Sequence, residues 1–284
     1  MENKVGKLYI VSTPIGNLQD MTFRAIEVLK SVDLVAAEDT RRTRELLNHF
    51  DIDTKITSYH EHNKYDKAKN IVDMIKEGKD VAVVTDAGTP IVSDPGSVLV
   101  KLAIEENIEI TAVPGCCAAV NALVLSGLDS DSFVFVGFLK DGNKKRKEQL
   151  KDLEFELRTM IFYISPHDIL KDLKQLIEVF GEGRNASLSR EMTKVHEETV
   201  RGTLKEIYKV FESRDIKGEF VLVVSGMDIK FLKTSEVEKW MSISVEEHYQ
   251  KYIDEGLSDK DAIKKVASDR NIDKREIYKQ LKVK

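Results

Sequence analysis

Short apolar runs alternate with stripes of apolar residues at helical spacing through the first 115 residues of the chain. Five of these runs are strand candidates: Lys7–Ser12, Leu34–Ala37, Lys55–Tyr59, Asp80–Thr85 and Ile108–Val113. Apolar residues between them recur every three or four positions, which is the spacing of one helix face. Strands that alternate with helices predict a parallel α/β sheet. Such a sheet binds ligands beyond the carboxyl ends of its strands.

Three of the predicted strand ends run into glycine and proline turns, at Thr13–Gly16, Asp86–Pro90 and Pro114–Gly115. The second lies in the segment TDAGTPIVSDPG at 85–96, a stiff loop that offers a carboxylate and exposed backbone amides. Such a loop suits a small polar ligand with hydroxyl and amino groups. A second interpretation is open, in which the segment is a turn and a helix cap, with Asp94 ahead of Pro95 at the first helical position.

The second half of the chain has the same alternation, but its strand candidates are less uniformly apolar, so we expect a mixed sheet there. A helix at Ala118–Leu125 is expected to link the halves. From Ser244 onward the pattern is purely helical, and Ser258 and Asp273 are suitable caps for two short helices. The predicted fold class is α/β, with a parallel-sheet N-terminal domain (1–115), a mixed-sheet second domain (116–232) and a helix-turn-helix-like tail (235–284). A linker is expected at Asp228–Thr234.

Composition excludes several classes of protein. The 284 residues carry a formal net charge of −5, which excludes a histone-like chain that is cationic throughout. No uncharged apolar stretch approaches the roughly 18–20 residues that span a bilayer, and the N-terminus lacks a secretory pattern. The two cysteines, Cys116 and Cys117, are adjacent, which suits neither a disulfide nor a metal site. We therefore expect a cytoplasmic, reduced protein that uses neither a metal nor a membrane.

The common catalytic motifs are absent, because the chain has no Walker A, GxGxxG, HExxH, CxxC or GxSxG pattern. Kinases, simple dehydrogenases, zinc hydrolases and serine hydrolases are therefore disfavoured. Two runs nevertheless concentrate positive charge: Lys140–Lys151 has six basic and two acidic residues, and Lys264–Lys284 has eight basic and three acidic residues. Such runs either contact nucleic acid by releasing counterions or are ordinary solvated helix faces.

Five segments, in order along the chain, carry a resemblance to a known family. They are YIVSTPIGNL at Tyr9–Leu18, AEDTR at Ala37–Arg41, DAGTPIVSDPG at Asp86–Gly96, VPG at Val113–Gly115 and REMTK at Arg190–Lys194. From about Lys7 to Gly226 the chain resembles the tetrapyrrole methylase superfamily. PIGNL and AEDTR favour the branch of small-subunit ribosomal RNA methyltransferases over the corrin and porphyrin enzymes. The tail at 259–278 is similar to a small helix-turn-helix domain of that branch.

The resemblance implies an S-adenosylmethionine-dependent enzyme that methylates the 2′-hydroxyl of a decoding-region cytidine in 16S rRNA, either free or in the 30S subunit. It also implies a homodimer, with the cofactor in a cleft between two α/β domains. The cofactor contacts that carry over by position are Pro14, Ile15, Asp86, Gly88, Thr89, Ile91, Ser93, Cys117, Ala118, Tyr163, Met192 and Gly218. Asp86 would accept hydrogen bonds from the ribose or amino group, and Ile91, Tyr163 and Met192 would enclose the adenine. Core packing is the alternative for those three apolar residues.

The chain departs from the family pattern in two places. The family's PGPSA is PGCCA here, and the thiol of Cys117 is a weaker hydrogen-bond partner than a hydroxyl. The family's YESPHR is YISPHD here, with Ile164 and Asp168 at the Glu and Arg positions. Contacts made by those two family side chains therefore do not transfer to this chain.

A ribose hydroxyl must lose its proton to accept a methyl group, so a nearby base would contribute roughly 10²–10⁴-fold. The candidates are Glu38, Asp39, His60, Glu61 and Glu191, of which Asp39 is the predicted catalytic residue. The side chains predicted to bind substrate phosphate or ribose are Arg41, Arg42, Arg190 and Lys194, with ordinary surface salt bridges as the alternative. Two other functions stay open: a small-molecule, tetrapyrrole-type methyltransferase, and a non-catalytic regulator that binds nucleic acid through its tail.

Overall fold

The computed structural model describes residues 5–228, 240, 243–270 and 272–282. The chain divides into two compact units. One comprises the chain up to Glu154 together with Arg158–Ser225, and the other comprises Phe155–Leu157 and the chain from Gly226 onward. The first unit contains two five-stranded sheets, and the second contains the C-terminal helices.

The first sheet is entirely parallel, as the sequence predicts. Its strands are β1 (Lys7–Val11), β2 (Leu34–Ala37), β3 (Ile56–Ser58), β4 (Val81–Val84) and β5 (Glu109–Val113), in the order β3-β2-β4-β1-β5. Its helices are α1 (Phe23–Ser31), α2 (Thr40–His49), α3 (Lys64–Lys76) and α4 (Ser97–Glu105). Every residue of β4 is buried, because helices cover both faces of a parallel sheet. Separate apolar clusters on the two faces therefore form the core of this sheet.

Helix α2 has no counterpart in the sequence prediction. Only Thr43 and Leu47 of its ten residues are buried, so its sequence, TRRTRELLNH, carries little apolar periodicity. The Asp39 side chain caps the helix by accepting the N–H of Arg41 at 2.8 Å. A short polar helix of this kind depends on its cap and on one buried edge, and a pattern search for apolar stripes misses it.

The second sheet is mixed, again as predicted. Its strands are β6 (Phe133–Phe138), β7 (Thr159–Ile164), β8 (Asn185–Arg190), β9 (Glu198–Thr203) and β10 (Phe220–Val224), in the order β6-β7-β10-β8-β9. Only β6 and β7 are parallel neighbours. Its helices are α5 (Ala118–Ser126), α6 (Asn143–Asp152), α7 (Ile169–Phe180) and α8 (Leu204–Glu212). Helices α6, α7 and α8 share one core with this sheet, whereas α5 packs in a second core that also includes Ile15.

The C-terminal unit contains α9 (Val245–Asp254), α10 (Asp259–Asp269) and α11 (Lys274–Lys282). Both predicted caps are confirmed, because Ser258 accepts the N–H of Asp261 and Asp273 accepts the N–H of Arg275 at 2.7 Å. Ala262, Val266 and Ile277 form its buried centre. The predicted limit at 232–235 and most of the linker Asp228–Thr234 lie outside the described residues, so the domain limits stay predictions. None of the described helices is long and apolar enough to cross a membrane.

Candidate active site

The loops that follow β1, β4 and β5 meet at the carboxyl edge of the parallel sheet. Thr13 and Gly88 exchange two backbone hydrogen bonds, of 2.9 and 3.1 Å. The Thr89 hydroxyl lies 3.1 Å from the Ser12 hydroxyl and donates to the Cys116 carbonyl at 2.9 Å. These bonds join the three glycine- and proline-rich turns into one wall, whose spacing is set by the backbone.

The central loop, Thr85–Gly96, has an unusual backbone. Ile91 and Ser93 have φ values of 78° and 68°, a conformation that costs a non-glycine residue about 1–3 kcal/mol. Helix α4 begins only at Ser97, with Gly96 as its N-cap. The interpretation of Asp94 as the cap of this helix is therefore wrong. The loop instead turns the Asp94 side chain into a cavity.

This cavity, the apolar cavity, has a volume of about 450 Å³ and lies between the loops of the parallel sheet and the edge of the mixed sheet. Its apolar walls include Ile15, Val92, Ala118, Phe138, Tyr163 and Val221. The Tyr163 ring packs edge-on against Phe135 and Phe138, with centroids 5.1 and 5.5 Å apart. Burial raises the pKa of Tyr163 to about 12, so its phenol keeps its proton at neutral pH.

Asp94 is the acidic group of this cavity that burial perturbs most. Burial and the neighbouring charges of Glu38 and Asp86 raise the pKa of Asp94 to about 6, against a hydrogen bond from Thr85. Among the described residues Asp94 has no ion-pair partner. A ligand with a positively charged group would find a carboxylate here without a competing cation from the described part of the chain.

A second cavity, the polar cavity, has a volume of about 430 Å³ and shares Ile15, Ala87 and Glu219 with the first. Two cations that belong to ion pairs line it. Arg42 contacts Asp86 at 3.2 Å. Lys194 contacts Glu219 at 3.0 Å, and it also contacts Glu191 at 2.9 Å.

Gly16, in the loop after β1, lies against the loop between β8 and β9 of the other sheet. A Cβ atom at Gly16 would lie 2.4 Å from Cγ of Lys194, in the loop between β8 and β9, and the glycine has a φ of +152°. The glycine of PIGNL therefore permits a contact with the REMTK segment that an alanine would obstruct. Two of the segments singled out in the sequence are in direct contact.

Comparisons with known proteins agree with this architecture. The family model for tetrapyrrole (corrin/porphyrin) methylases matches residues 7–208. A protein from Halalkalibacterium halodurans named ribosomal RNA small subunit methyltransferase I is 49% identical, over 96% of this chain and 93% of its own length. A protein of the same name from Bacillus subtilis is 43% identical, over 98% of this chain and 94% of its own length. The chain belongs to the tetrapyrrole methylase family.

Solved structures of other tetrapyrrole methylases share the fold. A uroporphyrin-III C-methyltransferase from Thermus thermophilus superimposes with a TM-score of 0.56 at 20% identity, over 78% of this chain and 94% of its own. A cobalt precorrin-4 methyltransferase gives a TM-score of 0.57, also at 20% identity, over 77% and 94%. The likeness extends to both sheets, and at this identity it concerns the fold alone.

As a tetrapyrrole methylase, the chain is a methyltransferase and uses S-adenosylmethionine. The apolar cavity fits this cofactor in size, since ligand pockets commonly measure about 300–1,000 Å³. Phe138 and Tyr163 offer an aromatic wall to a planar base, and Asp94 offers a carboxylate to an ammonium group. Gly88 leaves space in the cavity wall, because a Cβ atom at this position would lie 3.2 Å from Cγ2 of Ile15. Within the described residues there is no cluster of three His, Cys, Asp or Glu side chains that could hold a metal ion.

The structure distributes the predicted cofactor residues over three places. The apolar cavity is lined by Ile15, Gly88, Thr89, Ser93, Cys117, Ala118 and Tyr163. Pro14 and Asp86 line the polar cavity, where Asp86 holds Arg42 and also accepts the N–H of Asp39 at 3.0 Å. Ile91, Met192 and Gly218 line neither cavity. Their contacts with the cofactor stay predictions.

Packing explains the position of these last three residues. Ile91 packs against the core of the parallel sheet, and its Cγ1 would lie 2.6 Å from a Cβ at Gly96. Met192 is 7% exposed and belongs to the apolar cluster of α5. Gly218 has a φ of +102°, and a Cβ there would lie 2.6 Å from Cγ of Glu191, so a side chain at this position would be obstructed.

The predicted substrate residues are divided in the same way. Arg42 and Lys194 line the polar cavity, whereas Arg41 projects from α2 with a side chain 90% exposed. Arg190 donates to the carbonyl of Lys217 at 2.8 Å. Asp39, the predicted base, caps α2, and the N–H of Arg41 lowers the pKa of Asp39, which makes it a weaker proton acceptor. Its catalytic role stays a prediction that this geometry does not favour.

The residues that the sequence prediction misses are those whose role depends on long-range neighbours. Phe138 is the last residue of β6 and Val221 is the second residue of β10, and both stand in apolar runs typical of ordinary strands. Glu219 precedes β10 and lines both cavities. Asp94 differs from these residues, because the sequence could have identified it as a site residue. It lies in the same glycine- and proline-rich loop as Asp86.

Proposed function

We propose that this chain transfers a methyl group from S-adenosylmethionine to the 2′-hydroxyl of a decoding-region cytidine in 16S rRNA. The observation that carries the proposal is the pair of adjoining cavities, one apolar with a carboxyl group and one polar with Arg42 and Lys194. A methyl donor and a nucleotide need two such spaces with a common border. The name shared by the relatives supports an RNA substrate from the small ribosomal subunit, and the motif resemblance supports the cytidine 2′-hydroxyl.

The apolar cavity is the proposed cofactor site. The Asp94 carboxylate binds the ammonium group, and the backbone amides of the central loop bind the cofactor's carboxylate. Ile15, Ala118 and Tyr163 enclose the adenine, with Phe138 as an additional aromatic contact. Bound S-adenosylmethionine supplies a methyl group on a positively charged sulfur, which is a good leaving group without protonation.

The polar cavity is the proposed site of the target nucleotide. Arg42 lies on α2 of the parallel-sheet half and Lys194 in the β8–β9 loop of the mixed-sheet half, so a phosphate between them contacts both halves of the first unit. In the free protein each cation is bound to a carboxylate, which keeps it in place and leaves donors for a phosphate oxygen. Arg41 and Arg190 are proposed to contact more distant parts of the substrate.

The main catalytic contribution that the structure supports is positioning. The loops that border both cavities are joined by hydrogen bonds, so the hydroxyl and the methyl donor are held in a fixed relation, which can supply several kcal/mol of barrier reduction. The apolar walls keep water from the cofactor. Proton removal by Asp39 is not required for this positioning and stays a separate prediction, which the lowered pKa of Asp39 disfavours.

The test is methylation of purified 30S subunits by the full-length protein with labelled S-adenosylmethionine. We expect label in 16S rRNA at a decoding-region cytidine, on a nucleotide whose 3′ phosphodiester resists alkaline hydrolysis. Label on a base, or at no position in 16S rRNA, contradicts the proposal. Transfer to a precorrin under the same conditions supports the small-molecule alternative. Absence of cofactor binding by calorimetry supports the non-catalytic regulator.

A further inference from the structure

Helix α6 presents lysines that form no ion pair with any residue in the described part of the chain. Lys144, Lys147 and Lys151 are exposed, and none of them forms an ion pair with a described residue. Surface lysines elsewhere are often neutralised, as Lys76 is by Glu106 and Lys205 is by Glu182. Glu148 lies four residues after Lys144, a spacing that allows a helical ion pair, yet the pair does not form.

These three lysines lie on one side of the helix. Their spacing of three and four residues places them along one stripe, with a rise of about 10 Å from first to last. We call this stripe, Lys144, Lys147 and Lys151, the lysine ridge. Arg146 and Leu150 are the buried residues of α6 and lie on a different side of it.

A buried ion pair fixes the direction in which the ridge points. Arg146 is 5% exposed and pairs with Asp172 of α7, which is 3% exposed. Its Nε also donates to the carbonyl of Lys140 at 3.1 Å. The N–H of Lys140 in turn donates to Gln149 at 2.9 Å. Arg146, one cation of the basic run, therefore points inward and holds α6 against α7. Because the helix is held in this way, the lysine ridge has a defined orientation on the surface.

The lysine ridge begins a short stretch of chain away from the apolar cavity. Strand β6 ends at Phe138, which lines that cavity, and Lys144 follows six residues later. Six residues of chain span at most about 20 Å. Strand β7, the parallel neighbour of β6, ends at the same edge with Tyr163 and Ile164, which also line the cavity. A polymer bound at the cavities can therefore reach the ridge.

We infer that the lysine ridge binds the phosphate backbone of the RNA substrate, outside the nucleotide that is methylated. The inference rests on the function proposed above. Three aligned cations of fixed direction, without carboxylate partners among the described residues, complement a row of phosphates. The formal charge of the whole chain is −5, so attraction to RNA must come from local surfaces of this kind. Each phosphate contact releases counterions and makes binding depend on salt.

The test compares two triple variants of the full-length protein in methylation of 30S subunits. One is Lys144→Gln/Lys147→Gln/Lys151→Gln. The matched control removes three exposed lysines of the parallel-sheet domain that also lack ion pairs among the described residues: Lys30→Gln/Lys69→Gln/Lys101→Gln. A third variant with arginine at the three ridge positions keeps the charge.

For the ridge variant we expect KM for 30S subunits to rise on the order of 10²-fold at 0.1 M salt. The slope of log KM against log salt should become shallower by about 2–3, since each lost contact removes roughly 0.7–0.9. Both kcat and the Kd for S-adenosylmethionine should match the wild type. The control and the arginine variant should differ from the wild type by less than threefold in KM.

An unchanged KM and salt slope in the ridge variant, or an equal loss in the control, overturns the inference and leaves the proposed function intact. The same holds if the ridge variant loses binding to phosphatidylserine vesicles while its KM for 30S subunits is unchanged. Failure of the proposed function has a different signature, because the wild type itself would then not methylate 30S subunits.

Discussion

Asp94 faces a ligand cavity, and among the described residues no cation is paired with it. Its pKa, about 6, reflects burial and the charges of Glu38 and Asp86. An ammonium group in the cavity would favour the carboxylate form and lower that pKa. The free protein therefore holds an acid whose protonation should be coupled to cofactor binding.

We expect the affinity for S-adenosylmethionine to rise between pH 5 and pH 7, as Asp94 loses its proton. Calorimetry across this range measures the effect. Asp94→Asn should weaken binding about 10–100-fold at pH 7 and abolish the dependence. Asp86→Asn is the matched control and should keep the pH dependence. If instead Asp86→Asn removes it and Asp94→Asn does not, the cofactor contact belongs to Asp86.

The same group affects stability in the opposite direction. Its pKa is raised from 3.8 to about 6 on folding, so the folded chain binds more protons than the unfolded chain between these values. The contribution of Asp94 to stability is greatest below about pH 4 and is lost as pH rises through 6. Unfolding by urea at several pH values should show Asp94→Asn gaining stability relative to the wild type as pH rises from 4 to 7.

A substitution at Gly16 tests how closely the loop after β1 packs against the loop between β8 and β9. Gly16→Ala should lower the free energy of unfolding by about 2–4 kcal/mol, because its Cβ meets Lys194 and its φ is positive. Gly127→Ala is the control, since Gly127 has a φ of +70° and, among the described residues other than its two chain neighbours, none has an atom within 4 Å of its Cβ position. Gly127→Ala should lower the free energy of unfolding only by the cost of a left-handed backbone conformation, about 1–2 kcal/mol. Equal losses in urea unfolding would show that the contact with Lys194 is not restrictive.

At the scale of elements, the Asp39 carboxylate at the start of α2 has two interpretations, as a helix cap and as a catalytic base. Asp39 caps the helix, and Asp86 fixes the start of the helix through the N–H of Asp39 and the side chain of Arg42. Helix α2 therefore carries Arg42 at a set distance from the central loop. The cap and the proposed base can be separated, because asparagine can accept the capping hydrogen bond but cannot act as a base.

We expect Asp39→Asn to keep the wild-type melting temperature and to methylate within about threefold of the wild-type rate, since the lowered pKa of Asp39 disfavours proton transfer. Asp39→Ala should lower the melting temperature by about 2–4 °C through loss of the cap. Thermal unfolding and methylation kinetics measure the two effects. If the asparagine variant is slower by about two orders of magnitude or more, Asp39 is the base.

Helices α6 and α7 are held together by charge in the core. Burial raises the pKa of Asp172 to about 6, against the attraction of Arg146, so the pair is still ionised at neutral pH. Arg146→Met should cost about 3–5 kcal/mol in urea unfolding, because it leaves Asp172 buried without a partner. Arg146→Met/Asp172→Leu should recover most of this loss. A single variant as stable as the double variant contradicts the pairing.

At the scale of the whole molecule, α5 has more apolar surface than the described residues of one chain cover. It is apolar on nearly every side, yet Val120 and Val124 are 46% and 74% exposed. A helix that is apolar all round is normally buried. We propose that a second copy of the chain covers this face, which agrees with the homodimer that the motif resemblance implies.

Sedimentation equilibrium should therefore give twice the chain mass of 32.3 kDa for the wild type. Val124→Asp should give the mass of one chain, because an unpaired charge in an apolar interface is costly. Ile104→Asp, on α4 with 62% exposure, is the matched control and should stay dimeric. A monomeric wild type, or dissociation of both variants, argues against α5 as the interface.

Local chemistry determined much of the architecture of this protein. Continuous apolar runs predicted the strands of the parallel sheet, and weaker runs predicted the mixed sheet. Glycine and proline after β1, β4 and β5 predicted where loops would meet, and Ser258 and Asp273 predicted helix starts. These features depend on a few neighbouring residues, so the sequence contains them. The motif resemblance supplied the family and the cofactor.

Only the tertiary structure decided which side chains share a space. Asp86 and Asp94 lie in one loop, yet the first holds Arg42 and the second faces the apolar cavity. Lys194, in the mixed-sheet half of the first unit, contacts Gly16 in the parallel-sheet half. Arg146 is buried, although it belongs to a run of exposed lysines. Such outcomes depend on contacts between distant segments and on backbone directions that no local pattern encodes. The sequence determined the family and most of the elements, with α2 as an exception, and packing determined the site.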